Sequence, residues 1–266
     1  MTTASITLNE NPAQQFVLRL ADTCLIHSQR LAEWCGHAPV LEEDIALANM
    51  ALDLLGQARA LLTHAGQMGN PVGERVSGDV FDEDQLAFLR DERDYRNVTL
   101  AELPRGDFAF SVLRNLLLAT WLHHYWQRLA TSSDAELAAI AGKAAKEARY
   151  HRQHAADWVI RLGDGTEESA HRLRDAIATL WPYTVELFED DAIDANAAAS
   201  GLGPACSELH AAWSSELAPV FAQAGLEPPA ETPFRSHGKR GRHSEHMGYV
   251  LAEMQHLPRS FPGAVW

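Results

Sequence analysis

The chain has 266 residues, 46% hydrophobic and 22% charged, with 17 glycines and 12 prolines. That balance excludes a disordered, collagen-like or disulfide-scaffold protein, and a chain of this length can bury roughly three quarters of the surface it exposes when unfolded. Its 22 Lys and Arg against 36 Asp and Glu leave a net charge of −14, which disfavours partners such as nucleic acid or an anionic membrane.

The opening MTTASITLNENPAQQF has neither the basic stretch nor the apolar core of a secretion signal. From Phe16 to Trp34 the stripe Val17, Leu20, Cys24, His27, Leu31, Trp34 steps by three and four and predicts a helix. Gly36 to Pro39 break it, and a second helix is expected from about Glu42 to about Met68, antiparallel to the first. This second helix carries a small or polar stripe, Ala46, Asn49, Asp53, Gly56, Ala60, that admits the close approach of another backbone. A loop over residues 70–82 leads to a short charged helix through about Leu100, broken again by Pro104 and Gly106. Phe108 to Ala130 is apolar almost all round, as the central helix of a bundle is. Ser132-Ser133-Asp134 offers N-cap chemistry for a helix that continues to about Leu162, on the stripe Leu137, Ala141, Ala144, Ala148, His151, Ala155, Trp158, Leu162, and is ended by Gly163-Asp164-Gly165. Further helices are expected at about 167–190, 204–224 and 244–257, and no segment alternates as a strand does. No apolar run reaches the length of a membrane span. The pattern is all-α: one domain over 1–266, a four-helix bundle at about 12–163 with a helical extension at about 167–266, the long connection near 69–108 serving as a crossover.

A long-helix bundle with acids and histidines inside raises the ferritin-like di-iron centre, which takes a Glu from each of two helices and a Glu-x-x-His pair from each of the other two. The first helix offers Asp22, His27 and Glu33; the second offers Asp53, but Gly56 stands three residues on. The fourth offers Glu147, followed by Tyr150 and, one step later, His151, which shares the face of Glu147. The third, Phe108 to Ala130, has no Asp and no Glu, so the set is broken there. Asp22, His27, Asp53, Glu147 and His151 are therefore expected as a polar cluster in the core, what remains of a lost metal site or simply a packing network, with no catalytic, cofactor-binding or metal-binding residue assigned. One intact Glu-x-x-His, Glu253 to His256, lies outside the paired helices, near His243 and His246, and so short a pattern carries little. The basic segment Arg235 to Arg242, RSHGKRGR, is open to three readings: it caps the fold or docks an acidic partner, it is solvated, or it grips a phosphate. Cys24, Cys35 and Cys206 make no CxxC or CxxH pair and read as reduced thiols of a cytosolic protein. Trp34, Trp213 and Trp266 hint at an interface, although core packing is the commoner use of tryptophan.

The segment LRLADTCLIHSQRLAEWCGHAPVLEEDIALANMALDLLGQAR (Leu18 to Arg59) resembles the N-terminal hairpin of the C-subunit family of the bacterial phenylacetyl-CoA epoxidase. So do KEARYHRQHAADWVIRLGDGT (Lys146 to Thr166) and GRHSEHMGYVLAEMQHLPRSFPGAVW (Gly241 to Trp266), and the likeness covers nearly the whole chain. The resemblance implies a ferritin-like fold within a cytoplasmic, multicomponent mono-oxygenase that epoxidises phenylacetyl-CoA in aerobic phenylacetate catabolism. It further implies that this chain is a non-catalytic structural subunit without a cofactor of its own. Its partners are then a homologous A subunit that holds the di-iron centre and an NADPH-dependent reductase. Two other classes stand beside this one: a di-iron oxygenase active in its own right, and an iron-storing shell, whose subunits usually lack an extension after residue 200.

Overall fold

A computed structural model describes residues 5–8, 11–68, 81–230 and 232–264. The helix α1 (Pro12–Ala32) begins where Asn11 Oδ1 accepts the N–H of Ala13 at 3.0 Å and Pro12 fills a position that has no intrahelical donor to satisfy. Apart from Gln29, every residue from Phe16 to Leu31 is buried, so α1 runs through the middle of the molecule. The helix α2 (Leu41–Met68) returns alongside it. Residues 69–80, most of the expected loop, lie outside the described residues.

The single charged helix expected before Leu100 is instead three short pieces: α3 (Glu83–Phe88), a 3-10 turn (Glu92–Asp94) and α4 (Thr99–Glu102). Tertiary hydrogen bonds override local propensity here. The chain leaves the helix so that the Arg96 N–H reaches Asp22 Oδ2 (2.8 Å) and the carbonyl of Asp94 accepts from Arg90 (3.1 Å). The second hairpin is α5 (Phe108–Leu129), capped by Asp107, and α6 (Ala135–Gly163), capped by Asp134 through the N–H of Leu137 at 2.9 Å. Packing of α2 on α6 joins the hairpins, and side chains of α1 and α5 meet across the seam, as Phe16 and Tyr125 do at 6.2 Å between ring centroids.

The extension differs from expectation in three places. Pro182 ends α7 (Glu167–Leu180), and the chain continues as a 3-10 run (Trp181–Phe188). The short helix α8 (Ala192–Ser200), alanine-rich and without an apolar stripe, was not expected from periodicity; Arg19 of α1 anchors its capping residue Asp191 (2.6 Å). A 3-10 turn (Cys206–Leu209) replaces the start of the next predicted helix, leaving α9 (His210–Ala224), and α10 (Glu245–Ser260) closes the fold against α3 and α4. Trp213 is buried, sits 5.6 Å from Trp181 and donates its Nε1–H to the carbonyl of Leu117 (3.0 Å); Trp34 is buried and donates to Ser111 (2.8 Å). Both serve the core, and Trp266 lies outside the described residues. Among the described residues there is no strand, and the fold is an all-α bundle of the ferritin-like kind.

Candidate functional site

Polar side chains from all four long helices gather at the bundle centre. His27 on α1 donates its Nε2–H to Asn115 Oδ1 on α5 at 3.1 Å, and the Asn115 amide donates to Met50 Sδ on α2 at 3.5 Å. Cys24 Sγ donates to Gln57 Oε1 (3.6 Å), whose amide donates to Glu147 Oε2 on α6 (2.9 Å). His151, four residues beyond Glu147 on the same face, bonds through Nε2 to Asp53 Oδ2 at 3.0 Å. Four of the five candidate residues, His27, Asp53, Glu147 and His151, therefore surround one region. Gln57, which is not among the residues a ligand count selects, ties α1 to α6 by bonding both Cys24 and Glu147.

Asp22 does not join them. It points into the crossover, where the guanidinium of Arg90 holds both its oxygens, with Arg90 Nη1 at 2.9 Å from Oδ2 and both side chains fully buried. Arg90 also donates to the carbonyl of Leu86, and burial of this cation is offset by the Asp22 charge, which raises its affinity for the proton.

The donor set does not fit a pair of iron ions. Among the described residues only Asp53 and Glu147 supply carboxylates to the centre, and the Asp53 side chain is 40% exposed. The α5 helix contributes the amide of Asn115 and no carboxylate, whereas a di-iron bundle takes a Glu from each of its four helices. Burial, and next the nearby charge of Arg114, push the pKa of His27 down to about 3. Burial also lowers the pKa of His151, against the opposing pull of Asp53. Arg114 itself is fully buried, with its pKa lowered to about 9 by burial and then by Arg30, and it donates to the carbonyls of Leu103 and Pro104. Amides and imidazoles tie up the two carboxylates here, beside the buried guanidinium of Arg114, which is the chemistry of a packing network rather than of a paired-iron site.

The remaining sequence candidates are dispersed. Glu253 and His256 are exposed on α10. The His243 side chain is fully buried, its Nδ1–H donating to Glu102 Oε2 (2.7 Å), and burial of its charge is outweighed by Glu102, so its pKa is raised. His246 lies in the first turn of α10, where its carbonyl accepts from Arg30.

Within the basic segment Lys239 turns inward and ties the loop to its own chain, in line with the capping reading, while Arg235, Arg240 and Arg242 stay exposed. Lys239 donates its backbone N–H to Glu186 Oε1 (2.9 Å) and its ammonium to the carbonyl of Glu189 (2.6 Å) and lies 3.6 Å from Asp194; Arg235 pairs with Glu189 and Arg240 with Asp191. Gly238 is required because a Cβ there would stand 2.4 Å from the carbonyl oxygen of Asn97, and Gly241 because it takes φ +72°. Among the described residues one trio, Asp190, Asp194 and Cys206, has metal-ligand geometry. Two cations already serve it, Arg19 at 2.9 Å and Lys239 at 3.6 Å from Asp194, and burial pushes the Cys206 thiol up to about 12.

Three residues that build the centre and its border were not singled out from the sequence. Gln57 carries a signal, its position four residues after Asp53, and Asn115 is a short amide amid an apolar helix. Arg90 carries none, since only the fold brings it to Asp22.

The whole chain, residues 1–266, matches the family model described as phenylacetic acid catabolic protein. It is 46% identical over 256 residues to the C subunit of 1,2-phenylacetyl-CoA epoxidase from Escherichia coli (strain K12), covering 96% of this chain and 100% of that one. With a full-length family match and a full-length relative in agreement with the helical bundle, this chain belongs to the phenylacetic acid catabolic protein family.

Proposed function

We propose that this chain is a non-catalytic structural subunit of a cytoplasmic, multicomponent di-iron mono-oxygenase that epoxidises phenylacetyl-CoA in aerobic phenylacetate breakdown. Its role is to pair with and stabilise the catalytic A subunit, which carries the iron, while an NADPH-dependent reductase supplies electrons. The observation that carries this reading is the centre of α5: Asn115, hydrogen-bonded to His27 and Met50, stands where a di-iron bundle needs a carboxylate. The naming of its Escherichia coli relative as an epoxidase subunit supplies the chemistry of the complex. The test is iron per chain after expression alone in iron-replete medium, followed by NADPH-dependent turnover of phenylacetyl-CoA with the reductase, with and without the A subunit. Iron near zero and turnover only when the A subunit is present are expected. About two irons per chain, the content of a ferritin-like centre, or turnover by this chain with reductase alone, overturns the proposal.

A further inference from the structure

The helix α2 packs against α1, α6 and α3, and its remaining side faces solvent. On that side Leu41 is 70% exposed, Ile45 54%, Leu52 64% and Leu55 41%. Together with half-buried Ala48 they sit at spacings of four, three, four and three, the alternation of a seam between two packed helices. Two members of the small-residue stripe read from the sequence border this side: Asn49 and Gly56 are exposed, and a Cβ on Gly56 would meet nothing within 4 Å, while Asp53 of the same stripe turns to His151 on α6. Beyond Leu55 the seam runs into a hollow of about 320 Å³ between α2 and α3, walled by Ala58, Leu62, Ala87 and Phe88. A row of four exposed aliphatic side chains on one helix, ending in an apolar hollow, is an interaction surface rather than ordinary scatter.

We infer that this face binds a helix of a different subunit: an apolar seam on the partner meets Leu41, Ile45, Leu52 and Leu55, and one bulky apolar side chain enters the hollow. The charges select a partner over a second copy. Glu42, Asp53, Glu83 and Asp84 flank the seam and the hollow, Arg59 is tied to Glu83 at 3.1 Å, and Lys143 on the α6 side is tied to Glu147 at 3.5 Å. A second copy would bring the same carboxylates and another net charge of −14, whereas a subunit with a basic border is attracted. The occupant is the iron-bearing subunit, and this assignment rests on the function proposed above.

The test uses the full chain with the purified iron-bearing subunit, measuring mass in solution by light scattering and affinity by titration. The double variant Ile45→Glu with Leu52→Glu is compared with wild type and with Tyr249→Glu, which alters an equally exposed aromatic on α10. Expected is a mixed complex for wild type and Tyr249→Glu, and a loss of affinity of about 100-fold or more for the double variant, with circular dichroism unchanged. Leu41→Ser with Leu52→Ser is the milder variant should the glutamates disturb folding, and it is expected to weaken the complex in the same direction. A double variant that folds and binds as wild type does overturns the face while leaving the subunit reading intact. A wild type that does not bind the iron-bearing subunit overturns the subunit reading itself. A wild-type homodimer dissociated by the double variant, with hetero-binding unaffected, overturns the choice of occupant.

Discussion

The Asp22–Arg90 pair separates a structural carboxylate from a ligand. Both side chains are fully buried; the carboxylate takes the guanidinium and the Arg96 N–H, and the guanidinium also bonds the carbonyls of Leu86 and Asp94. Asp22→Asn conserves volume and shape but leaves the Arg90 cation without its counter-charge. Removing one partner of a buried ion pair costs about 3–5 kcal/mol, a large share of a domain's total stability. At about 2.1 cal/mol/K of unfolding entropy per residue, 266 residues have about 0.56 kcal/mol/K, so the expected fall in Tm is about 5–9 °C. Thermal and urea unfolding followed by circular dichroism measure it. Asp22→Leu combined with Arg90→Met, which removes both charges, should be more stable than Asp22→Asn, because no lone charge is left in the core. A Tm within about 2 °C of wild type for Asp22→Asn, against the burial penalty expected for an unpaired cation, or a double variant whose loss equals the sum of its singles, refutes the reasoning.

Three further outcomes follow from the packing and the electrostatics. His27 is neutral when folded, its pKa held down to about 3 by burial and then by Arg114, whereas unfolded it titrates near 6.5. The unfolded state then binds more protons, so this group's contribution is present above about pH 6.5 and is lost as pH falls towards 3, amounting to about 2–3 kcal/mol at pH 4.5. Urea unfolding at pH 7 and 4.5 should show a shallower acid dependence in His27→Gln, and an identical dependence contradicts the assignment. Gly238→Ala sets a Cβ at 2.4 Å from the Asn97 carbonyl oxygen, so a loss of about 2 kcal/mol or more is expected, with faster proteolysis within residues 235–242 as the readout. Trp213→Ala empties the space between α5, the 3-10 run after α7 and α9, and should cost about 3–5 kcal/mol, with Trp213→Phe retaining a good part of it; equal losses for the two variants argue against packing as the source.

The long helices were legible because their signals are local. Periodic apolar stripes, the cap chemistry at Asp134, and the breaks at Gly36–Pro39 and Gly163 depend on residues a turn or two apart. The short elements were not, since α4 and the turn before it take their shape from Asp22 and Arg90 rather than from their own propensity, and α8 is held by Arg19 from far away in the chain.

The same division holds for the site. That α5 carries no carboxylate is a property of the sequence alone, so the pattern of one Glu from each of the four helices is incomplete whatever the packing. The same is true of the presence of His27, Asp53, Glu147 and His151 on inward stripes. Which of these residues meet was decided only in three dimensions: Asp22 turns to Arg90 while Gln57 and Asn115 complete the centre. The basic loop closes on the acids of its own chain, and among the described residues none covers the apolar row on α2. A helix pattern records which side chains share a face, but partners distant in sequence are chosen by how the faces pack, and that choice is a property of the whole fold.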